Sequence, residues 1–387
     1  MMKSSIRRPA DSGFSLIEML VAIAIFVILM IGLLNLLDNS TKVSKLEAAL
    51  SDTQENVRYA TYHLMRTARM MGGSIMPFAR GGTGGNAWVA GEVHDNVATN
   101  FSIFGATLDN MAGSDVLVLR GFFDVTPFFI GETMAGPDVV SSSRTVRIRE
   151  HSDVTTTPRL INDLSPYASL PNVFIGRGLI ISSSEGRLEI APGLWTNGMY
   201  MVAEITASTG VTGTSPNRQI LLTYAAAAAW DGLNLDGAPI AAGAPTFPGQ
   251  SRAGILEAYA YYVDNNMVLR RLARRDVAAG NGPQPVAVNI GNLQVELGVD
   301  ADGNSFLDPV TEWDASPTLA EALQGNGAVA MRLTVLGRTP FEVPDWTEPA
   351  RTFAGAGNMT APTAGSSGPR HAKWRRMEVA VALRNFL

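Results

Sequence analysis

Between Phe14 and Leu37 the sequence reads FSLIEMLVAIAIFVILMIGLLNLL, with Ser15, Glu18 and Asn35 its only polar residues. As a helix rising about 1.5 Å per residue, these 24 residues reach roughly 36 Å, enough to cross a hydrocarbon core of about 30 Å. The residues before them, MMKSSIRRPADSG, hold Lys3, Arg7 and Arg8 against one acid, Asp11, and no apolar run. A conventional secretory signal requires a small-x-small cleavage site just after the run, and Leu36-Leu37-Asp38-Asn39-Ser40 offers none. A plain anchor helix agrees with the basic leader, although Lys42 and Lys45 beyond the run leave only a weak orientation bias. That reading also leaves Glu18 without a purpose. A carboxylate within an apolar span costs up to about 3 kcal/mol in lipid, so its presence points to a partner.

A third reading accounts for leader, junction and glutamate together. Gly13-Phe14-Ser15-Leu16-Ile17-Glu18 resembles the class III signal of type IV pilins and pseudopilins. The resemblance implies that a prepilin peptidase cuts after Gly13 on the cytoplasmic side and N-methylates Phe14. It also implies that Glu18 pairs with the N-terminal amine of a neighbouring subunit. A carboxylate and an ammonium compensate each other in low dielectric and become specific only when packed side by side. Loss of the leader removes three basic and one acidic residue, which takes the formal charge from −5 to −7.

Beyond the polar break Asp38-Asn39-Ser40-Thr41, residues 42–71 contain no proline or glycine. Val43, Leu46, Leu50, Thr53, Val57, Ala60, Leu64, Thr67 and Met71 recur at spacings of three and four, which places them on one helix face. The stripe suits either a coiled coil or packing on the chain's own globular domain, and the two threonines favour the latter. One nearly continuous helix is expected, loosened around residues 32–40. Glu55 and Arg58 read as a solvated surface pair.

Gln54-Glu55-Asn56-Val57-Arg58-Tyr59-Ala60, and then Leu64-Met65-Arg66-Thr67-Ala68-Arg69-Met70-Met71-Gly72-Gly73, resemble the stalk helix of PilW-type minor pilins. The C-terminal third adds to this. Tyr261-Tyr262-Val263, Val268-Leu269-Arg270-Arg271, the run from Asn289 to Asp300 and the close Arg375-Arg376-Met377-Glu378-Val379-Ala380-Val381-Ala382-Leu383-Arg384-Asn385 resemble the same family in order and spacing. The middle, 74–254, matches nothing.

The remaining sequence is β-rich. Alternating segments at 115–120, 145–149, 179–182, 187–190, 200–206, 219–224, 293–299, 329–335 and 379–383 read as strands. Residues 256–263 and 267–271 flank Asp264-Asn265-Asn266 as a hairpin. Loops are expected at 72–91, 207–218, 225–252 and 338–372, the last with Phe341, Trp346 and Phe353 as sticky points. The expected fold class is α+β, a long N-terminal helix packed on a β-rich pilin-like domain. Its parts are a cleaved leader 1–13, a transmembrane and assembly helix 14–37, an amphipathic stalk 38–72 and a globular domain 73–387.

Composition serves mainly to exclude. At 46% hydrophobic and 17% charged the chain must fold, since disordered segments are poorer in apolar residues. The absence of cysteine removes disulfides, thiolate zinc sites, iron–sulfur clusters and cysteine nucleophiles. His63, His94, His151 and His371 are too scattered for a metal or catalytic motif, and neither a G-x-S-x-G elbow nor a phosphate loop is present. Gly81-Gly82-Thr83-Gly84-Gly85 reads as a connector. An enzyme is not expected, and neither is a cofactor, with calcium the one ion for which the sequence offers a loop. Asp300, Asp302, Asn304 and Asp308 fall at positions 1, 3, 5 and 9 of a calcium-type loop, with Gly303 for the turn and Glu312 one residue past the closing carboxylate. Ser305 stands where such loops have glycine, and the same residues suit a hairpin turn without an ion.

Lys373, Trp374, Arg375 and Arg376, with Arg370 and His371, interleave charge and an aromatic as single-stranded nucleic-acid sites do; Arg270, Arg271, Arg274 and Arg275 mirror them. Covering strand ends explains these residues equally, a sequence pI near 5.5 opposes broad attraction to nucleic acid, and DNA is not expected as a partner. The family resemblance implies a minor pilin near the pilus tip that helps prime assembly. Its implied partners are other minor and major pilins, prepilin peptidase, the inner membrane and a tip adhesin. It would be a single-pass inner-membrane protein, N-in with a periplasmic domain, before assembly, and lie at the cell surface afterwards. The alternatives are a J-type pseudopilin of type II secretion and an adhesin-like or DNA-contacting minor pilin.

Overall fold

The computed structural model describes residues 15–71, 79–81, 87–123, 128–129, 132–133, 136–137, 139–140, 144–153, 159–170, 172–183, 189–191, 194–195, 199–224, 252–300, 302, 304, 306–308, 311–314, 328–341 and 372–382. It has one long apolar N-terminal helix and a β-rich globular domain, an α+β fold. Two compact units divide the chain, Met1–Asp52 and Thr53–Leu387.

Helix α1 (Leu16–Met70) runs 55 residues without interruption. The expected loosening around 32–40 does not occur. Thr41 Oγ1 donates to Leu37 O at 2.8 Å and Lys42 pairs with Asp38 at 2.6 Å, so the polar turn is closed by its own side chains. An exposed i,i+4 pair of this kind adds about 0.3–0.5 kcal/mol, set against roughly 1 kcal/mol for the helical Gly32. In the first unit every large apolar side chain from Leu16 to Leu37 is exposed, from 38% at Met30 to 83% at Leu16.

The strands that carry the second unit are β1 (Gly91–Val97), β2 (Ser114–Gly121), β3 (Thr145–Arg149), β4 (Gly178–Ser183), β5 (Met199–Ser208), β6 (Gln219–Tyr224), β7 (Arg252–Val263), β8 (Val268–Ala273), β9 (Gln284–Val288), β10 (Ile290–Val299), β11 (Trp313–Asp314), β12 (Ala328–Arg338) and β13 (Trp374–Ala382). Their pairings are antiparallel. In the larger sheet β3, β6, β5, β4, β7, β8 and β9 follow one another, and β2 pairs both β7 and β1. Strand β7 is the seam of this sheet. Its first half joins β4, with Ile255 opposite Leu179, and its second half joins β2 and β8, with Ala260 opposite Val118 and Leu272. The second sheet has the order β11-β10-β12-β13.

The final turns of α1 lie between these sheets and the solvent. Val57, Ala60, Leu64, Ala68 and Met71 share one core with Leu117, Leu119, Tyr259 and Tyr261 of the larger sheet and Leu293, Val295, Met331, Leu333 and Val335 of the smaller. Thus from Thr53 onward the helical stripe packs on the chain's own domain. Fully burying one such aliphatic side chain is worth about 1.5–3 kcal/mol. The opposite face of β2, β7 and β8 makes a separate core with Val116, Val118, Ala260, Tyr262 and Leu272. Alternation along β2 and β7 thus fills two cores at once, which is why both strands read as nearly continuous apolar runs.

The sheets are also joined by side chains. Ser114 Oγ donates to Leu293 O and accepts from Leu293 N–H, and Asp115 Oδ2 accepts from Val295 N–H at 2.7 Å. Gln294 Nε2 donates to Gly113 O at 3.1 Å. Polar side chains of β2 therefore do for part of the β10 edge what a neighbouring strand would do. Within 72–91, expected as a loop, the structure instead has a short hairpin, Ala79–Gly81 paired with Ala87–Val89. Residues 225–251 and 342–371, most of the two long expected loops, lie outside the described residues, while Arg252 and Arg338 belong to β7 and β12.

Candidate functional site

Gly13 and Phe14 lie outside the described residues. From Ser15 the helix start is explicit. Ser15 N–H donates to Glu18 Oε2 at 2.9 Å and Glu18 N–H donates to Ser15 Oγ at 3.3 Å, a reciprocal capping box. Sequence reasoning assigned Glu18 only a partner outside the chain. It missed this local role, although Ser15-x-x-Glu18 before an apolar run is its signal. The cap curls the carboxylate back toward the chain start. Ile17, Val21, Ala22 and Ile25 surround Glu18 on one face, so a single acidic group stands in an otherwise apolar exposed surface.

The 300–312 loop brings Asp300 and Asp302 of the expected set together with Glu312. Ligand oxygens of Asp300, Asp302 and Glu312 lie within 4.8 Å of one another. Asp308 is not in the group, because its Oδ1 accepts from Thr311 N–H at 3.0 Å and closes the turn that returns Glu312. Asn304 likewise spends its amide locally, donating from Nδ2 to Asp302 Oδ2 at 2.6 Å and accepting Phe306 N–H on Oδ1 at 2.7 Å. Three carboxylates at this separation could hold a divalent cation.

The basic patch is organised for packing. Trp374 lies across β10 so closely that a Cβ on Gly291 would come within 2.4 Å of its ring. Only a residue without a side chain lets the indole seat there, and the strand-facing side of the half-buried ring is taken up by that contact. Arg376 pairs with Glu378, and Lys373 is tied by its backbone to Thr339, donating N–H to Oγ1 at 3.1 Å. In the mirrored group Arg270 pairs with Asp264, Arg274 with Glu204 at 2.9 Å and Arg275 with Glu257 at 3.4 Å. Arg271 stacks over Tyr259 at 4.6 Å. Of the three expected sticky aromatics, Phe341 is 43% exposed, and Trp346 and Phe353 lie outside the described residues.

Two carboxylates near the sheet junction titrate abnormally. Burial pushes Asp115 up to about 7, aided by the nearby charge of Asp95 and opposed by the N–H groups of Asn96 and Val295. Burial works to raise Glu92 too, but His94 and Arg120 outweigh it and hold Glu92 at about 2. His63 donates to or accepts from Tyr261 Oη at 3.1 Å, and burial, then Arg271 and Arg66, lower its pKa. These groups brace the fold and form no catalytic constellation of nucleophile, base and orienting group.

Residues 8–34 match the family model described as the prokaryotic N-terminal methylation motif. No curated protein matches the sequence. A type IV-like pilin from Thermus thermophilus is similar over 55% of this chain and 90% of its own, at 14% identity and a TM-score of 0.19. A likeness that slight places no residue of the globular part.

Proposed function

We propose, for a chain that carries the N-terminal methylation motif of the type IV pilin superfamily, the role of a PilW-type minor pilin. The observation that carries the reading is the coincidence of that motif with a helix whose first unit exposes every large apolar side chain from Leu16 to Leu37. Such a helix suits a single-pass inner-membrane anchor and later a bundle of like helices, whose packing would bury the same surface. In this reading the leader 1–13 is removed after Gly13, Phe14 is methylated, and Glu18 receives the amine of a neighbouring subunit. The capping box supports that assignment, since it holds the carboxylate toward the helix start. Loss of pairing leaves a charge in an apolar interface, which costs several kcal/mol and so decides register.

The globular domain 73–387 then faces the periplasm before assembly and the cell surface after it, near the pilus tip. The stalk and C-terminal sequence patterns support the PilW branch. Processing and assembly separate experimentally. Gly13→Val is expected to leave the leader attached, seen as a chain heavier by its leader. Glu18→Ala is expected to be processed normally yet give few or no sheared pili. Wild-type pilus number in the Glu18→Ala strain would overturn the assembly role, and normal processing of Gly13→Val would overturn the cleavage site. Deletion of the gene should remove pili; loss of exoprotein release with pili intact would identify a J-type pseudopilin instead.

A further inference from the structure

We infer that the acidic 300–314 loop of one copy docks onto the outer face of α1, between Glu55 and Arg69, of a second copy of this chain. The helix face is an aromatic and basic stripe. Tyr59 and Tyr62 are 55% and 59% exposed, flanked at helical spacing by exposed Arg58, Arg66 and Arg69, with Glu55 the one acid in the stretch. Those arginines make no ion pair among the described residues, so the expected Glu55–Arg58 pair is not formed. The loop is its counterpart in charge. From Asp300 to Asp314 the sequence holds five carboxylates and no lysine or arginine. Within it Phe306 is 79% exposed, the most exposed large apolar side chain of the second unit among the described residues.

Within one chain both surfaces stay exposed. Thr53 and Val57 pack at Gly337, opposite the start of β10, and the stripe faces away from the core. The loop leaves the far end of β10, after Val299. Neither surface is covered by the other, yet the arginines could meet Asp302 and Asp308 while Phe306 enters between the tyrosines. Charge then steers the approach and holds the two patches in register, which sets Phe306 beside Tyr62. Different patches meet on the two copies, so the contact is either made twice across a two-fold axis or repeated head-to-tail. It needs only these two surfaces and does not depend on the pilin reading.

The chain has no cysteine, so single engineered thiols report the contact. Full-length Phe306→Cys and Tyr62→Cys proteins, carrying tags of different size, are mixed in detergent with EDTA and mildly oxidised. EDTA keeps any divalent cation off the loop carboxylates. The mixed disulfide dimer is expected to exceed both homodimers and a control mixture of Thr107→Cys with Tyr62→Cys several-fold. High salt, or Arg66→Glu with Arg69→Glu in the Tyr62→Cys chain, should reduce it to the control level. Mixed dimers at control level would overturn the inference. So would predominant Tyr62–Tyr62 dimers, which would make the helix face self-complementary, or mixed dimers indifferent to salt and charge reversal.

Discussion

At Asp115 the chain buries a carboxylate, which is costly unless each oxygen finds a donor. Oδ1 accepts from Asn96 N–H at 3.0 Å and Oδ2 from Val295 N–H, yet burial and Asp95 still hold the group near 7. A raised folded pKa means that the native state binds the proton more tightly than the unfolded chain does. Its contribution is therefore fully present below the ordinary value of 3.8 and is lost as pH rises through about 7. Glu92 acts in the opposite sense: its contribution is present above 4.5 and is lost as pH falls toward 2. Thermal melting between pH 5 and 8 should therefore show stability declining with pH, on the order of a few kcal/mol from Asp115. Asp115→Asn should flatten that decline while lowering stability overall, since one of the two N–H groups loses its acceptor. An unchanged pH slope in Asp115→Asn would assign the decline to other groups.

The second half of α1 makes the same kind of argument for a whole element. Its stripe fits β12 because Gly337 lets the strand approach; a Cβ there would come within 2.3 Å of Val57 Cγ2 and 2.9 Å of Thr53 Cγ2. Gly337→Ala is expected to lower stability by about 1–3 kcal/mol, the usual range for overpacking. Val57→Ala in the same chain should recover part of that loss even though Val57→Ala alone destabilises. Additive losses in a double-mutant cycle would show that the strand, and not the helix contact, bears the strain. This helix was largely legible in the sequence, because a three-and-four spacing has one structural meaning over so many turns. Strands β3, β6, β10 and β12 were legible through alternation, and β7 through the Asp264-Asn265-Asn266 turn that follows it. The hairpin at Ala79–Gly81 was hidden by glycines that carry no strand signal. The hook from Ser114 and Asp115 to β10 was invisible because its partners stand about 180 positions away and pair through side chains. Trp374 looked like a free aromatic because only the register of β10, β12 and β13 brings it onto Gly291. At the candidate site, the motif around Gly13 and Glu18 was readable, whereas the approach of Glu312 to Asp300 and Asp302 depends on a turn geometry that spacing alone does not fix.

For the whole molecule the decisive asymmetry is electrical. The leader carries Lys3, Arg7 and Arg8, the segment after the apolar run carries Lys42 and Lys45, and the rest of the chain is acidic overall. Basic residues near a span are retained on the cytoplasmic side, so three against two favours N-in by a small margin. Asp38 narrows the effect of Lys42 further by pairing with it at 2.6 Å. Alkaline phosphatase fused after Leu387 should accordingly be active, and β-galactosidase at the same position inactive. Because the margin is small, replacing Lys3, Arg7 and Arg8 together by Ser should lower phosphatase activity and raise galactosidase activity, with the apolar span untouched. The same variant also tests the processing scheme: a chain inserted the other way presents Gly13 to the periplasm, where a cytoplasmic-side peptidase cannot cut it, so unprocessed chain and galactosidase activity should rise together. An active galactosidase fusion on the unaltered chain would reverse the orientation, and with it the assignment of Gly13 as the cleavage site.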